Sequence, residues 1–129
     1  MRILIVDDEP HIIRALTLLL EKSGHSVCTA YNGTDGLAKL RTEPSDIAII
    51  DIMMPGMTGL ELLQAWKVRT PSAAEPQFLV LTASCDDHIS AAIESFDNVQ
   101  LVTKPFSPSR ILRLVQNLAA ASAASYKPA

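Results

Sequence analysis

Residues 47–59 read Ile47-Ala48-Ile49-Ile50-Asp51-Ile52-Met53-Met54-Pro55-Gly56-Met57-Thr58-Gly59. The opening run is apolar at every position, which marks a short strand buried on both faces, as in a parallel sheet covered by helices. An isolated carboxylate in apolar surroundings is costly, so Asp51, at the end of that run, must sit where water, a metal or a partner reaches it. Pro55-Gly56 is a turn signal. Thr58 and Glu61 then stand at capping-box spacing and open a helix carrying Leu60, Leu63 and Trp66.

Working outward, residues 3–6, 26–30, 78–81 and 99–102 read as further short strands, several apolar on consecutive positions. Helical patterns lie between and after them. The first spans 10–23, with Pro10 in its opening turn, Ile12, Ile13, Leu16, Leu19 and Leu20 on one face, and Gly24 at its exit. The second starts near Thr34 and carries Leu37, Ala38 and Leu40. The fourth shows Ile89, Ala92, Ile93 and Phe96 behind Asp86 and Asp87. The fifth opens with Ser107-Pro108, shows Ile111, Leu114, Val115 and Leu118, and frays in the Ala/Ser tail 119–129. The one long connection, 70–77, holds Pro71 and Pro76 and reads as a surface loop. Strand–helix units repeated in this way predict an α/β fold: a five-stranded parallel sheet, doubly wound, with helices on both faces. In such sheets the ligand crevice lies at the carboxyl ends of the strands.

The chain has 129 residues, 48% of them hydrophobic, enough for one globular domain with a real core. A net charge of -3 and 11 scattered Lys and Arg argue against nucleic-acid binding by this segment. Cys28 and Cys85 lack ligand spacing and read as buried or idle thiols of a reducing cytoplasm. No apolar run approaches the roughly 18 residues that span a bilayer, and MRILIV is followed at once by acids, unlike a signal peptide. The expectation is a cytoplasmic protein with no membrane contact.

The strand ends carry the chemistry. The first strand ends in Asp7, Asp8 and Glu9, the third in Asp51, the fourth in Thr82 and the fifth in Lys104. Aspartates meeting in one crevice repel unless a cation intervenes, and carboxylate with carbonyl and water is a magnesium ligand set. Lys104 adds a fixed positive charge, and the Thr82 hydroxyl can donate to an anionic oxygen. A carboxylate nucleophile, Mg2+, a lysine and a hydroxyl around one point suggest phosphoryl transfer to Asp51.

Here the chain resembles the receiver domains of two-component response regulators. The matching segments are Ile3-Leu4-Ile5-Val6-Asp7-Asp8-Glu9-Pro10, the run from Asp51 to Gly59, Leu81-Thr82-Ala83 and Lys104-Pro105-Phe106, and the resemblance covers about residues 1–120. It implies a flavodoxin-like strand order, 2-1-3-4-5, and makes Asp51 the phosphoacceptor. It implies Asp8, Asp51 and the backbone carbonyl of Met53 as direct Mg2+ ligands, with Asp7 acting through water. Thr82 and Lys104 would contact the phosphoryl group, and the Lys104–Pro105 peptide would be cis. The implied partner is a histidine kinase or a histidine phosphotransfer protein, and homodimerisation on phosphorylation, through the face of the fourth helix, last strand and fifth helix, stays open. The expected division is a receiver domain over 1–120 and a tail or linker start over 121–129.

Plainer readings stand beside these. Asp7 and Asp8 alone would equally be acids favoured by a helix amino end, and Thr82 alone a strand-end hydroxyl. His11, His25 and His88 share no ligand spacing. Trp66, Met54 and Met57 read as packing; Met53 and Ser84 stand where family members tune dephosphorylation. Gly59 suits a helix start packed closely behind the acceptor loop. Two positions depart from the family. Leu101 stands where Tyr or Phe is usual, and Ser95-Phe96-Asp97-Asn98 replaces the usual Gly-Ala. Acceptor chemistry does not use Leu101; the departure bears on the readout through the face of the fourth helix, last strand and fifth helix, where a part for Leu101 stays open. The leading expectation is a phosphoacceptor switch that catalyses only its own phosphorylation and dephosphorylation. A small phosphohydrolase would want an acid two residues beyond Asp51, where Met53 stands. A module regulated by binding alone is the third reading.

Overall fold

The computed structural model describes residues 1–68, 75–83, 87–94, 96–104 and 107–125, side chains at 68, 87, 88 and 121–125 excepted. Ser84, Cys85, Asp86, Ser95, Phe106, most of the 70–77 connection and the expected cis peptide at Pro105 lie outside the described residues.

The chain alternates β1 (Arg2–Val6), α1 (Pro10–Lys22), β2 (Ser26–Ala30), α2 (Gly33–Thr42), β3 (Ile47–Asp51), α3 (Gly59–Val68), β4 (Gln77–Thr82), α4 (Asp87–Glu94), β5 (Val99–Thr103) and α5 (Pro108–Ser125). The strands form one parallel sheet in the order β2-β1-β3-β4-β5. The expected order and the doubly wound class are therefore what the chain adopts. The continuous apolar runs are explained by two cores, one on each side of the sheet. Ile3, Ile5, Ile47, Ile49, Leu79, Leu81 and Val102 pack with Ile13, Leu16 and Leu20 of α1 and Ile111 and Val115 of α5. Leu4, Val6, Ala48, Ile50, Phe78 and Val80 pack on the other side with Leu37 and Leu40 of α2, Leu62, Leu63 and Trp66 of α3, and Ile93 of α4.

Local signals set the helix starts. The Thr58 hydroxyl accepts from the Glu61 N–H at 3.2 Å, and the Glu61 carboxylate accepts from the Thr58 N–H at 3.1 Å, a reciprocal capping box. Thr58→Ala removes half of it and is expected to lower stability by about 1 kcal/mol, read as a shift in the urea midpoint with the slope unchanged. Ser107 caps α5, accepting from the Arg110 N–H at 3.3 Å. α2 starts one residue before the expected Thr34, because Asn32 is its cap and accepts from the Asp35 N–H at 2.7 Å. α5 continues through the Ala-rich segment to Ser125, as alanine, the strongest helix former, allows.

Candidate functional site

The chain reverses direction across the sheet between β1 and β3, and the crevice at their carboxyl ends is the topological switch point. Ladder hydrogen bonds run past the strand ends and hold this edge: Asp7 N–H to the Ala30 carbonyl (3.1 Å), Ile52 N–H to Leu81 (2.9 Å) and Lys104 N–H to Thr82 (2.6 Å). Gly59 permits a further close approach. A Cβ there would lie 2.6 Å from the Asp51 carbonyl oxygen and 2.8 Å from the Ile52 Cα, so α3 can start directly behind the loop that follows Asp51 only with glycine. Gly56 turns that loop with φ +78°, a conformation natural to glycine.

Among the described residues the buried polar and charged side chains are Asp7, Asp51 and Thr82, at 0%, 2% and 1% exposure. All three sit at this edge, where packing alone gives no reason for them. Asp51 is held at both oxygens: Oδ1 accepts from the Met53 N–H at 3.2 Å, and Oδ2 lies 3.3 Å from the Lys104 ammonium. Asp7 Oδ1 accepts from the Glu9 N–H at 2.9 Å, whereas its Oδ2 is buried with no partner. Burial pushes the Asp7 carboxyl up to about 6; the Glu9 N–H pulls against that rise, the Asp51 charge adds to it and Lys104 opposes it.

One carboxylate oxygen from each of Asp7, Asp8, Glu9 and Asp51 falls within 4.8 Å of the others. A buried carboxylate oxygen without a partner, inside an all-oxygen acidic cluster, fits a hard divalent cation such as Mg2+. The sequence-derived residues Asp7, Asp8, Asp51, Thr82 and Lys104 thus converge on one edge, and the Met53 backbone adjoins Asp51. Glu9 joins them through a link the sequence reading missed: its Oε1 lies 3.9 Å from the Lys104 ammonium and its Oε2 3.2 Å from His11 Nε2. Residues so distant in the chain carry no local signal of pairing.

The remaining candidates fall elsewhere. His25 Nδ1 is 3.3 Å from the Met1 amine, and burial lowers its pKa. The half-buried Cys28 thiol donates to Glu43 at 3.2 Å, which raises its pKa and leaves it a poor nucleophile. Leu101, half-buried, pairs with Val80 and packs on the α2–α3 side of the sheet. Phe96 joins that same core, with the Lys67 ammonium 4.8 Å above its ring. Beside the acidic cluster, α1 and the start of α5 frame an open cleft of about 630 Å³ lined by Ile12, Ala15, Leu16, Ala83 and Pro108, with Glu9, His11 and Lys104 at its rim.

An acidic crevice with one lysine, at the switch point of a 2-1-3-4-5 parallel sheet, places the molecule in the flavodoxin-like α/β class. The comparisons narrow this to a family. The chain belongs to the response regulator receiver domain family, whose model matches residues 3–116. It is 43% identical over 81 residues to protein PilH of Pseudomonas aeruginosa, an alignment covering 63% of this chain and 67% of PilH. It is 34% identical over 110 residues to the alkaline phosphatase synthesis transcriptional regulatory protein PhoP of Bacillus subtilis, covering 85% of this chain and 45% of PhoP. The solved chemotaxis protein CheY4 of Vibrio cholerae superposes with a TM-score of 0.77 at 28% identity, covering 91% of this chain and 97% of CheY4. The chain spans about half the length of most of the curated relatives it matches. Receiver domains bind Mg2+ at an acidic pocket and interact with histidine kinases or phosphotransfer proteins; this chain has such a pocket. Among the described residues no helix is long and apolar enough to cross a membrane.

Proposed function

We propose that this chain is a cytoplasmic phosphoacceptor switch: a histidine kinase or histidine phosphotransfer protein charges Asp51, and the charged state alters the face formed by α4, β5 and α5. The observation that carries this reading is the buried Asp51 carboxylate, held between the Met53 N–H and the Lys104 ammonium beside three further acids. An Asp51 oxygen attacks the donor's phosphorus, a new O–P bond forms and the donor's P–N bond breaks. Asp7, Asp8, Asp51 and the Met53 carbonyl would hold Mg2+. When bound, that ion neutralises charge on the acids and on the phosphoryl oxygens. Lys104 meets the phosphoryl group from the other side, and the Thr82 hydroxyl donates to one of its oxygens.

The added group carries a charge near -2 at neutral pH. Contacts from Lys104 and Thr82 to it exist only in the charged state, so they can bias a two-state equilibrium. A shift from mostly off to mostly on needs about 5.5 kcal/mol of such differential contact. The cleft between α1 and α5 opens next to Lys104 and offers the donor an apolar seat, continued along α1 by Leu18, which is 66% exposed. The chain catalyses its own charging and discharging rather than turning over an external substrate; Met53 stands where a hydrolase of this chemistry would need an acid.

Incubation with acetyl phosphate, with and without Mg2+, read by intact mass, tests the proposal. The wild type should gain one phosphoryl group only with Mg2+, and Asp51→Asn none. Phosphate on the variant, or none on the wild type, would overturn it, and the second result would favour a module regulated by binding alone.

A further inference from the structure

Glu9 immediately precedes α1, where a carboxylate is normally attracted to the free amides of the first turn. Its side chain makes no capping hydrogen bond. It turns instead to the site, with Oε1 3.9 Å from Lys104 and Oε2 3.2 Å from His11. The Lys104 ammonium is therefore shared between Asp51, at 3.3 Å, and Glu9. Asp51 is almost fully buried, whereas the Glu9 side chain is 44% exposed, so the two anions hold the lysine from a dry side and a wet side.

We infer that Glu9 is a positioning residue that acts through Lys104, holding its ammonium between two anions and thereby setting how fast the phosphoryl group is taken up. The inference rests on Asp51 being the acceptor. For Lys104 to neutralise an arriving phosphoryl group it must give up its contact with Glu9. That separation is made easier by His11, which stays in contact with Glu9 and keeps its carboxylate from being left alone. Removing the Glu9 charge leaves the ammonium with Asp51 alone and spares that separation.

Phosphoramidate is a suitable probe: an Asp51 oxygen bonds to phosphorus, the P–N bond breaks, and the nitrogen leaves with the bonding pair as ammonia. Uptake with Mg2+, followed by intact mass, is compared in the wild type, Glu9→Gln, Lys104→Gln and the double variant. Glu9→Gln should speed uptake by about three- to tenfold with lysine present and leave it unchanged with Lys104→Gln, as a double-mutant cycle reads coupling. The Lys104 ε-methylene and ammonium resonances should also shift in Glu9→Gln before any donor is added. An equal gain in both backgrounds would show that Glu9 acts as a plain repelling charge, and an unshifted Lys104 resonance would show no link; either overturns the inference. Should Lys104→Gln take up too little phosphate to measure, the resonance decides. A wild type that takes no phosphate counts against the Asp51 reading, while the Lys104 resonance still judges Glu9 independently.

Discussion

Asp7→Asn is expected to make the metal-free protein more stable near neutral pH, by about 3 kcal/mol at roughly 1.4 kcal/mol per pKa unit. Asp7 is fully buried, one of its oxygens has no partner, and burial raises its pKa from 3.8 to about 6. Because the folded value is the higher one, the native state binds the extra proton, and stability falls as pH rises from about 4 through about 6. Asparagine keeps an oxygen for the Glu9 N–H and carries no charge. The gain over wild type should therefore be full at about pH 7.5 and mostly gone by about pH 4. Mg2+ should reverse the comparison in part: held at the native cluster, it would stabilise the wild type more than the variant. Urea unfolding at both pH values, with and without Mg2+, measures all of this. A variant less stable than wild type in the metal-free state at neutral pH would contradict a buried, uncompensated Asp7.

Gly59→Ala is expected to be costly for a residue that gains only a methyl group: about 2–3 kcal/mol of stability, and at least about tenfold in the rate of phosphoryl uptake. The added Cβ would meet the Asp51 carbonyl oxygen and the Ile52 Cα, which are backbone atoms fixed in the sheet edge and unable to swing aside as a side chain can. Either α3 is pushed outward or the loop after Asp51 shifts, and the second outcome moves Asp51 relative to Lys104. Equilibrium unfolding reads the first effect and the phosphoramidate time course the second. Wild-type behaviour in both would mean that α3 starts with room to spare.

Much of this molecule is legible in its sequence, because the apolar runs, the strand-end acids and the Thr58–Glu61 box are local signals with local causes. The strand order came from resemblance rather than from pattern, and the observed order agrees with it. What stayed hidden depends on tertiary placement. The segment Asn32-Gly33-Thr34-Asp35 offers several plausible caps, and only the hydrogen bond from Asp35 selects Asn32. Glu9 looked like one more acid in a run until its carboxylate met Lys104. The α1–α5 cleft has no sequence signature, since two distant segments make it. At Leu101 and Phe96 the sequence marked a departure; the packing shows both facing the core on the α2–α3 side.

The two cores also have an arithmetic consequence. Along β3, Ile47 and Ile49 belong to the α1–α5 core, while Ala48 and Ile50 belong to the other. Asp51 shares the parity of Ile49, Asp7 that of Ile5 and Lys104 that of Val102, whereas Thr82 shares that of Val80. Asp7, Asp51 and Lys104 thus meet because they sit on the same count along three different strands, and the Thr82 hydroxyl sits on the opposite count. Inserting or deleting a single residue between Ile47 and Ile50 would put both cores out of step and turn Asp51 to the wrong side of the sheet. The length of β3 therefore cannot change.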